Sequence, residues 1–330
     1  MKNDRHAADI VEGTPPYTVH RSLQQMVGDV RDGLTANPKQ LSPKYFYDER
    51  GSELFEAITR LPEYYLTRAE RSLLEQKIPE IIAAVHPCSL VELGAGSATK
   101  TRIILDAMRA SGCSECYVPI DVSRDFLEAT AIQLKADYPD VRITPVISDI
   151  TEPFEIPPGA SPTLVVFLGS TIGNFPRDQA VRLLSHVTNA MAPSDRFLLG
   201  ADLVKDEALI TRAYNDSKGI TAAFNLNMLE RLNRELKADF PIGDFEHRAF
   251  YNREHCRIEM HLLARKALEV TIPEIGKISF EKGETIRTEL SYKYDRATLE
   301  DILGAAGLAM QRWMPADDGS FALALARAES

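Results

Sequence analysis

The sequence predicts an α/β fold, a mostly parallel sheet with helices on both faces, accompanied by a second, smaller α+β unit. Three observations carry this reading. From residue 67 to about 204, short and almost wholly apolar strand segments alternate with helical segments, the pattern of a sheet buried on both faces. A glycine-containing turn, "SLVELGAGSATKTRIIL", joins the first such strand to the next helix, as in nucleotide-binding folds. Two flanking stretches, 17–66 and 205–293, break that rhythm with a pattern of their own.

Taken in order, residues 1–16 read as a tail and 17–66 as helical and aromatic-rich. Thr67 and Glu70 make the T-x-x-E pattern of a capping box, ahead of a helix with Leu74, Ile78, Ile81, Ile82 and Val85 on one face. Strand "SLVEL", helix "TKTRIILDAMRA", strand "CYVPID" and helix "SRDFLEATAIQLKADY" follow. Next come strands "VRITPVI" and "TLVVFLG", helix "RDQAVRLLSHVTNAM" and strand "RFLLGAD". Beyond residue 205, two helical segments precede "FEHRAFYN", "CRIEMHLLARKALEVTIPEI" and "KISFEKGETIRTELSYKY", whose alternation is that of an antiparallel sheet. Helix "RATLEDILGAAG" with "LAMQRWMP" and "SFALALARA" returns to the first sheet as a closing helix and hairpin. The expected division is therefore 67–204 with 294–330 as one domain and 17–66 with 205–293 as the other, without repeats or a low-complexity linker.

The 330 residues, 44% of them hydrophobic, suffice for a substantial core, and a net charge of −10 repels phosphate backbones. Without a basic patch to override that average, nucleic acid is not an expected partner. No apolar run approaches the roughly 18 residues of a membrane span. The start, "MKNDRHAADIVEG", lacks the apolar core of a signal peptide, so a cytoplasmic protein is expected. Cys113 and Cys116 form a C-x-x-C without a second metal-ligand pair, and read as reduced cysteines in a loop. Near the end of the chain, strand alternation through "CRIEMHLL" turns Cys256 away from His255 and His261, so no metal is expected.

The glycine turn says more about its ligand. Gly94 and Gly96 let the backbone approach a ligand closely, but the third glycine of a dinucleotide fingerprint is replaced by Thr99. Asp121 ends the second strand, where a carboxylate can accept from both ribose hydroxyls. Asp149 ends the third, within reach of an adenine amino group. Two glycines, two strand-end acids and a C-terminal hairpin favour S-adenosylmethionine over a dinucleotide, hence a class I methyltransferase over a dehydrogenase. "TPPY" at 14–17 superficially matches the Pro-Pro-Tyr motif of nucleic-acid amino-methyltransferases. It precedes the sheet, however, instead of following the fourth strand, where "GSTIGN" stands.

Longer blocks resemble a particular family. "SPKYFYDERGSELFEAITRLPEYYLTRAE", "VELGAGSATKTR", "FLGSTIGNF", "DLVKDEALITRAYND", "GITAAFNLNML" and "TELSYKY" are similar to the histidine Nα-methyltransferases of ergothioneine biosynthesis, which form the trimethylated betaine hercynine. The resemblance implies cofactor contacts from Gly94, Gly96, Lys100, Asp121 and Asp149, with Ile150 where family members often carry Phe. It implies substrate contacts from Tyr64, Phe55, Gly169, Asn174, Tyr214, Thr221, Met260, Glu289 and Ser291. Tyr47 and Phe55 would lie near the amine, and Tyr47 or Tyr64 could guide its loss of a proton.

These implied roles suit histidine, which offers a carboxylate, an α-amine and an imidazole. An Asn amide and a Tyr hydroxyl can both donate to a carboxylate, as Asn174 and Tyr214 would. Glu289 can accept from one imidazole N–H while Ser291 addresses the other nitrogen, and residues two apart in a strand share a face. Each position also has a plainer reading: Asn174 as a cap for a helix starting near Phe175, Tyr64 as an ordinary aromatic, Glu289 on a solvated face. A related Nα-methyltransferase acting on another amino acid or aromatic amine is the alternative. The expected partner in either case is a small molecule, with the enzyme a monomer.

Overall fold

The computed structural model describes residues 18–96, 98–113, 115–156 and 161–329; the expected tail, "TPPY" and Ser97 of the glycine turn lie outside them. The chain opens with helices α1 (Thr18–Thr35), α2 (Glu49–Thr59) and α3 (Leu66–Val85). Strand β1 (Ser89–Leu93), helix α4 (Thr101–Ala110), strand β2 (Cys116–Asp121) and helix α5 (Arg124–Asp137) follow. Next are strands β3 (Arg142–Ile143), β4 (Val146–Ile147) and β5 (Thr163–Phe167), helix α6 (Arg177–Ala190) and strand β6 (Arg196–Asp202). Helices α7 (Glu207–Ala213) and α8 (Ile220–Glu235) lead to strands β7 (Phe245–Asn252), β8 (Arg257–Ala264), β9 (Leu268–Ile272), β10 (Gly276–Phe280) and β11 (Thr285–Tyr292). Helix α9 (Arg296–Ala305) and strands β12 (Leu308–Pro315) and β13 (Phe321–Ala328) complete the chain.

The large sheet has the order β12-β13-β6-β5-β1-β2-β3, with β4 also on β2. Its interior pairs are parallel, whereas β13 runs antiparallel to both β6 and β12. Period-two alternation explains why these strands are buried on both sides. Leu90 and Leu164 pack with Leu74, Ile78 and Ile104 of α3 and α4; their neighbours Val91 and Val165 pack with Leu183, Val187 and Leu299 of α6 and α9 on the other face. The order reverses between β1 and β5, so the loops leaving those two strands flank the crevice where such sheets bind ligands.

Two expectations need correction. "VRITPVI" is broken into β3 and β4, because Pro145 has no N–H to continue the ladder. Both pieces still pair with β2, at Cys116↔Arg142 and at Asp121↔Ile147. The later strands make two antiparallel sheets, β11-β8-β7 and the pair β10-β9. The chain leaves the first ladder at Arg265, whose N–H donates to the Asp244 carbonyl at 2.8 Å. A further apolar cluster joins Val30, Phe46, Leu54 and Ile58 to Phe224, Met228 and Leu232 of α8, and to Ile258, Leu262 and Ile286 of the sheet β11-β8-β7.

The cysteine reading also changes. Cys116 lies buried within β2, and Cys113 instead faces Cys88, with Sγ atoms 3.3 Å apart and all four thiols free. Cys256 stands in the turn before β8 with φ 48°, so strand alternation does not reach it.

Candidate active site

The donor side is built by the loops after β1, β2 and β4. Gly94 and Gly96 adopt φ +67° and +51°, a region that strains residues with a Cβ, and a Cβ built on either would meet nothing within 4 Å. The turn is thus open in front of the sheet. Asp121, at the tip of β2, accepts from Ser123 N–H at 3.0 Å and from Gly96 N–H at 3.4 Å, and burial pushes its carboxyl upward. Burial also opposes ionisation of Asp149, but bonds from Thr151 and the nearby Lys44 hold it below the usual carboxylate range. Ile150 packs on the sheet beside it. An open left-handed glycine turn with carboxylates at two neighbouring strand ends fits S-adenosylmethionine.

On the acceptor side, aromatic rings from separate segments converge. Tyr47 precedes α2, Phe55 lies within it, Tyr64 lies between α2 and α3, and Tyr214 ends α7. Their centroids are 5.6 Å apart for Tyr47–Phe55, 6.3 Å for Phe55–Tyr64 and 6.2 Å for Tyr64–Tyr214, all edge-to-face. Phe224 of α8 closes the group against Tyr47 and Phe55, a member the sequence reading missed. Thr221 lies one turn earlier on α8, its N–H donating to Asp216 at 2.8 Å. Met260 of β8 is buried and pairs in register with Glu289 of β11.

Glu289 has no hydrogen bond or ion pair among the described residues. Burial pushes its carboxyl up to about 7, with Lys293 pulling the other way. Burial and the charge of Glu289 in turn raise the hydroxyls of Tyr47, Tyr64 and Tyr214, which therefore stay protonated. Tyr47 feels Asp121 as well, which sets it between the donor and acceptor sides. Neither the Tyr47 nor the Tyr64 hydroxyl has a hydrogen-bond partner among the described residues, so both hydroxyl oxygens are free to accept from an amine.

Lys293 is the largest omission of the sequence reading. It continues the face of β11 that carries Glu289 and Ser291, and its side chain is 0% exposed. Extending the period-two count by one more step would have found it. Its ammonium donates to Asp202 at 2.9 Å, Ser291 at 2.8 Å and Tyr214 at 3.2 Å. Burial works against the charge, but Asp202 and Tyr214 outweigh it and raise the pKa. Asp202, at the end of β6, is fully buried and also accepts from Tyr65 at 2.8 Å and from Lys205. Proton counting then fixes the polarity of the wall. Both hydroxyls accept from Lys293, and the 2.7 Å Tyr214–Ser291 bond uses one hydroxyl proton. The other has no protein acceptor among the described residues, leaving one donor for a ligand.

The loop after β5 links the two sides. Gly169 has φ +78° and Ser170 φ 55°; the Ser170 hydroxyl accepts from Asp202 N–H at 2.9 Å. The turn Thr171–Asn174 lies against β11 so closely that a Cβ on Gly173 would sit 2.8 Å from the Tyr292 carbonyl oxygen. Asn174 caps no helix: α6 starts at Arg177 behind Pro176, so the capping reading of Asn174 fails. The capping box of Thr67 and Glu70 fails too. Tyr65 stands at the helix N-terminus with no side-chain cap, and Glu70 turns inward to the Gly169 N–H and Lys100.

The raised carboxyl of Glu289 predicts a pH effect on the free enzyme. Ionising it costs the folded state, a cost absent below its ordinary value of 4.5 and fully present above about 7. Glu289→Gln removes that cost, so its melting temperature should gain on wild type as the buffer moves from about pH 5 to about pH 8. A constant difference would contradict the assignment.

The sheet order and the donor-side turn define a class I S-adenosylmethionine-dependent methyltransferase fold. A family model described as "Histidine-specific methyltransferase, SAM-dependent" matches residues 26–328, and the chain belongs to that family. It is 45% identical over 299 residues to the histidine N-alpha-methyltransferase of Mycolicibacterium smegmatis, covering 90% of this chain and 93% of that one. Identity to the Mycobacterium tuberculosis protein of the same name is also 45%, over 300 residues, with the same coverage. Ergothioneine biosynthesis protein 1 of Neurospora crassa is 32% identical over 76% of this chain, which spans 30% of that longer protein.

Proposed function

We propose that the protein methylates the α-amine of L-histidine, in three successive transfers that give hercynine. The observation that carries this reading is the Glu289 carboxylate, unpartnered among the described residues, on the same strand face as Ser291 of the Ser291–Tyr214 hydroxyl pair. A carboxylate and a single hydroxyl donor match the N–H and the bare nitrogen of a neutral imidazole. The names of the relatives support the same acceptor.

S-adenosylmethionine, once bound, supplies a methyl group on a sulfonium. Gly94 and Gly96 leave room for it, Asp121 and Asp149 receive its hydroxyls and adenine amine, and Lys100 stands beside the turn. In this reading segments 17–66 and 205–293 hold the acceptor, and 67–204 with 294–330 hold the donor. Asn174 takes the histidine carboxylate, and Glu289 with the hydroxyl pair holds the ring. The amine is then turned toward Tyr47 and Tyr64, whose oxygens accept hydrogen bonds from its N–H groups and aim its lone pair. Rate enhancement comes chiefly from this alignment. The rings of Tyr47 and Phe55 favour the growing alkylammonium, which suits repeated transfer.

Incubation with S-adenosylmethionine and a panel of amino acids, read by mass spectrometry, tests the acceptor. Trimethylated histidine is the expected product, and methylation of another amino acid in preference to histidine would overturn the reading. In a product time course, Tyr47→Ala should slow the approach to the trimethylated form. Accumulation at the wild-type rate would remove Tyr47 from the mechanism.

A further inference from the structure

We propose that Glu70 is a positioning residue that couples occupancy of the donor side to binding of the acceptor amino acid. The inference rests on the assignment of Lys100 to the donor and Gly169 to the acceptor made above. Glu70 lies in the second turn of α3 and is 1% exposed. Its Oε1 and Oε2 accept from the Gly169 N–H at 2.7 and 2.9 Å, and Oε2 also accepts from Lys100 Nζ at 2.5 Å. One buried carboxylate therefore holds a group from each side of the crevice. The two groups are also neighbours: a Cβ on Gly169 would lie 3.4 Å from Lys100 Nζ.

The sheet is shaped around this carboxylate. Glycine inside a strand weakens it, yet Gly200 stands within β6. A Cβ there would lie 2.1 Å from Glu70 Oε1, so the glycine makes the seat in which the carboxylate rests. Lys100 is partly exposed, with 23% of its side chain accessible, whereas Glu70 is not. When the carboxylate of a bound donor draws Lys100 toward itself, Glu70 loses part of its compensating charge. The remaining charge is then shared with the Gly169 N–H alone, which fixes the loop whose Gly169 and Asn174 are assigned to the acceptor. Occupancy of the donor side thus favours the acceptor, and linkage makes the effect reciprocal.

Calorimetric titration of histidine, alone and with saturating S-adenosylhomocysteine, measures this coupling. In the wild type the second ligand should tighten histidine by about fivefold or more, and in Glu70→Gln by less than about twofold. Gly200→Ala, which displaces the carboxylate, should also abolish the coupling. Lys100→Met leaves the Glu70–Gly169 bond in place and should do the same, which keeps the test available if Glu70→Gln does not fold. A merely structural role for Glu70 would shift both affinities and leave their ratio unchanged. A wild-type ratio of one, or a wild-type ratio retained in these variants, would overturn the proposal. Failure of the wild type to bind histidine at all would instead overturn the acceptor assignment beneath it.

Discussion

Glu289→Ala is expected to lower kcat/KM for histidine by about 2–3 kcal/mol, roughly 30- to 150-fold, the cost of leaving an imidazole N–H without its charged acceptor. The same substitution should cost tryptophan or phenylalanine far less, because those rings offer the carboxylate a poorer partner or none. The Glu289 carboxylate has no hydrogen bond to lose among the described residues, and burial already holds it near 7, so truncation disturbs little besides the ligand. Glu289→Gln keeps one acceptor oxygen and should fall between. Equal losses across the three amino acids would show that Glu289 does not read the ring.

The second large effect is expected from Lys293→Met. Removing one partner from a buried ion pair typically costs about 3–5 kcal/mol. Here Asp202 keeps Tyr65 and Lys205, which places the expected loss of stability toward the lower end of that range. The functional signature is separate from the stability loss. Without the ammonium, Tyr214 and Ser291 lose the donor that fixes their proton direction, so KM for histidine should rise while S-adenosylhomocysteine affinity stays near wild type. A variant with an unchanged melting temperature and unchanged KM would show that the Lys293 network supports neither the fold nor the pocket.

The parts of this molecule that were legible in its sequence are those governed by local patterning. "SLVEL", "TLVVF" and "RFLLGAD" are apolar runs bounded by helices, and each is a strand of the large sheet. The left-handed turn at Gly94 and Gly96 and the acid at Asp121 could be read from residue type and position alone. Pro145 should have signalled the break between β3 and β4. The acceptor side was legible only through family resemblance, because Tyr47, Tyr64, Tyr214 and Glu289 come from distant segments that long-range packing alone unites. Glu70 was obscured by a local motif: T-x-x-E reads as a cap, but the buried polar groups at Gly169 and Lys100 claim the carboxylate. Lys293 resembles any solvated strand lysine until Asp202, 91 residues earlier at the end of β6, is placed beside it.

The central claim is one of orientation: Glu289 and the hydroxyl pair hold the imidazole, so that only the α-amine faces the donor. Transfer from S-adenosylmethionine labelled with carbon-13 in its methyl group, followed by NMR of the product, tests this most directly. The account predicts three equivalent labelled methyls on the α-nitrogen and an unlabelled ring. A labelled methyl on either imidazole nitrogen would contradict it.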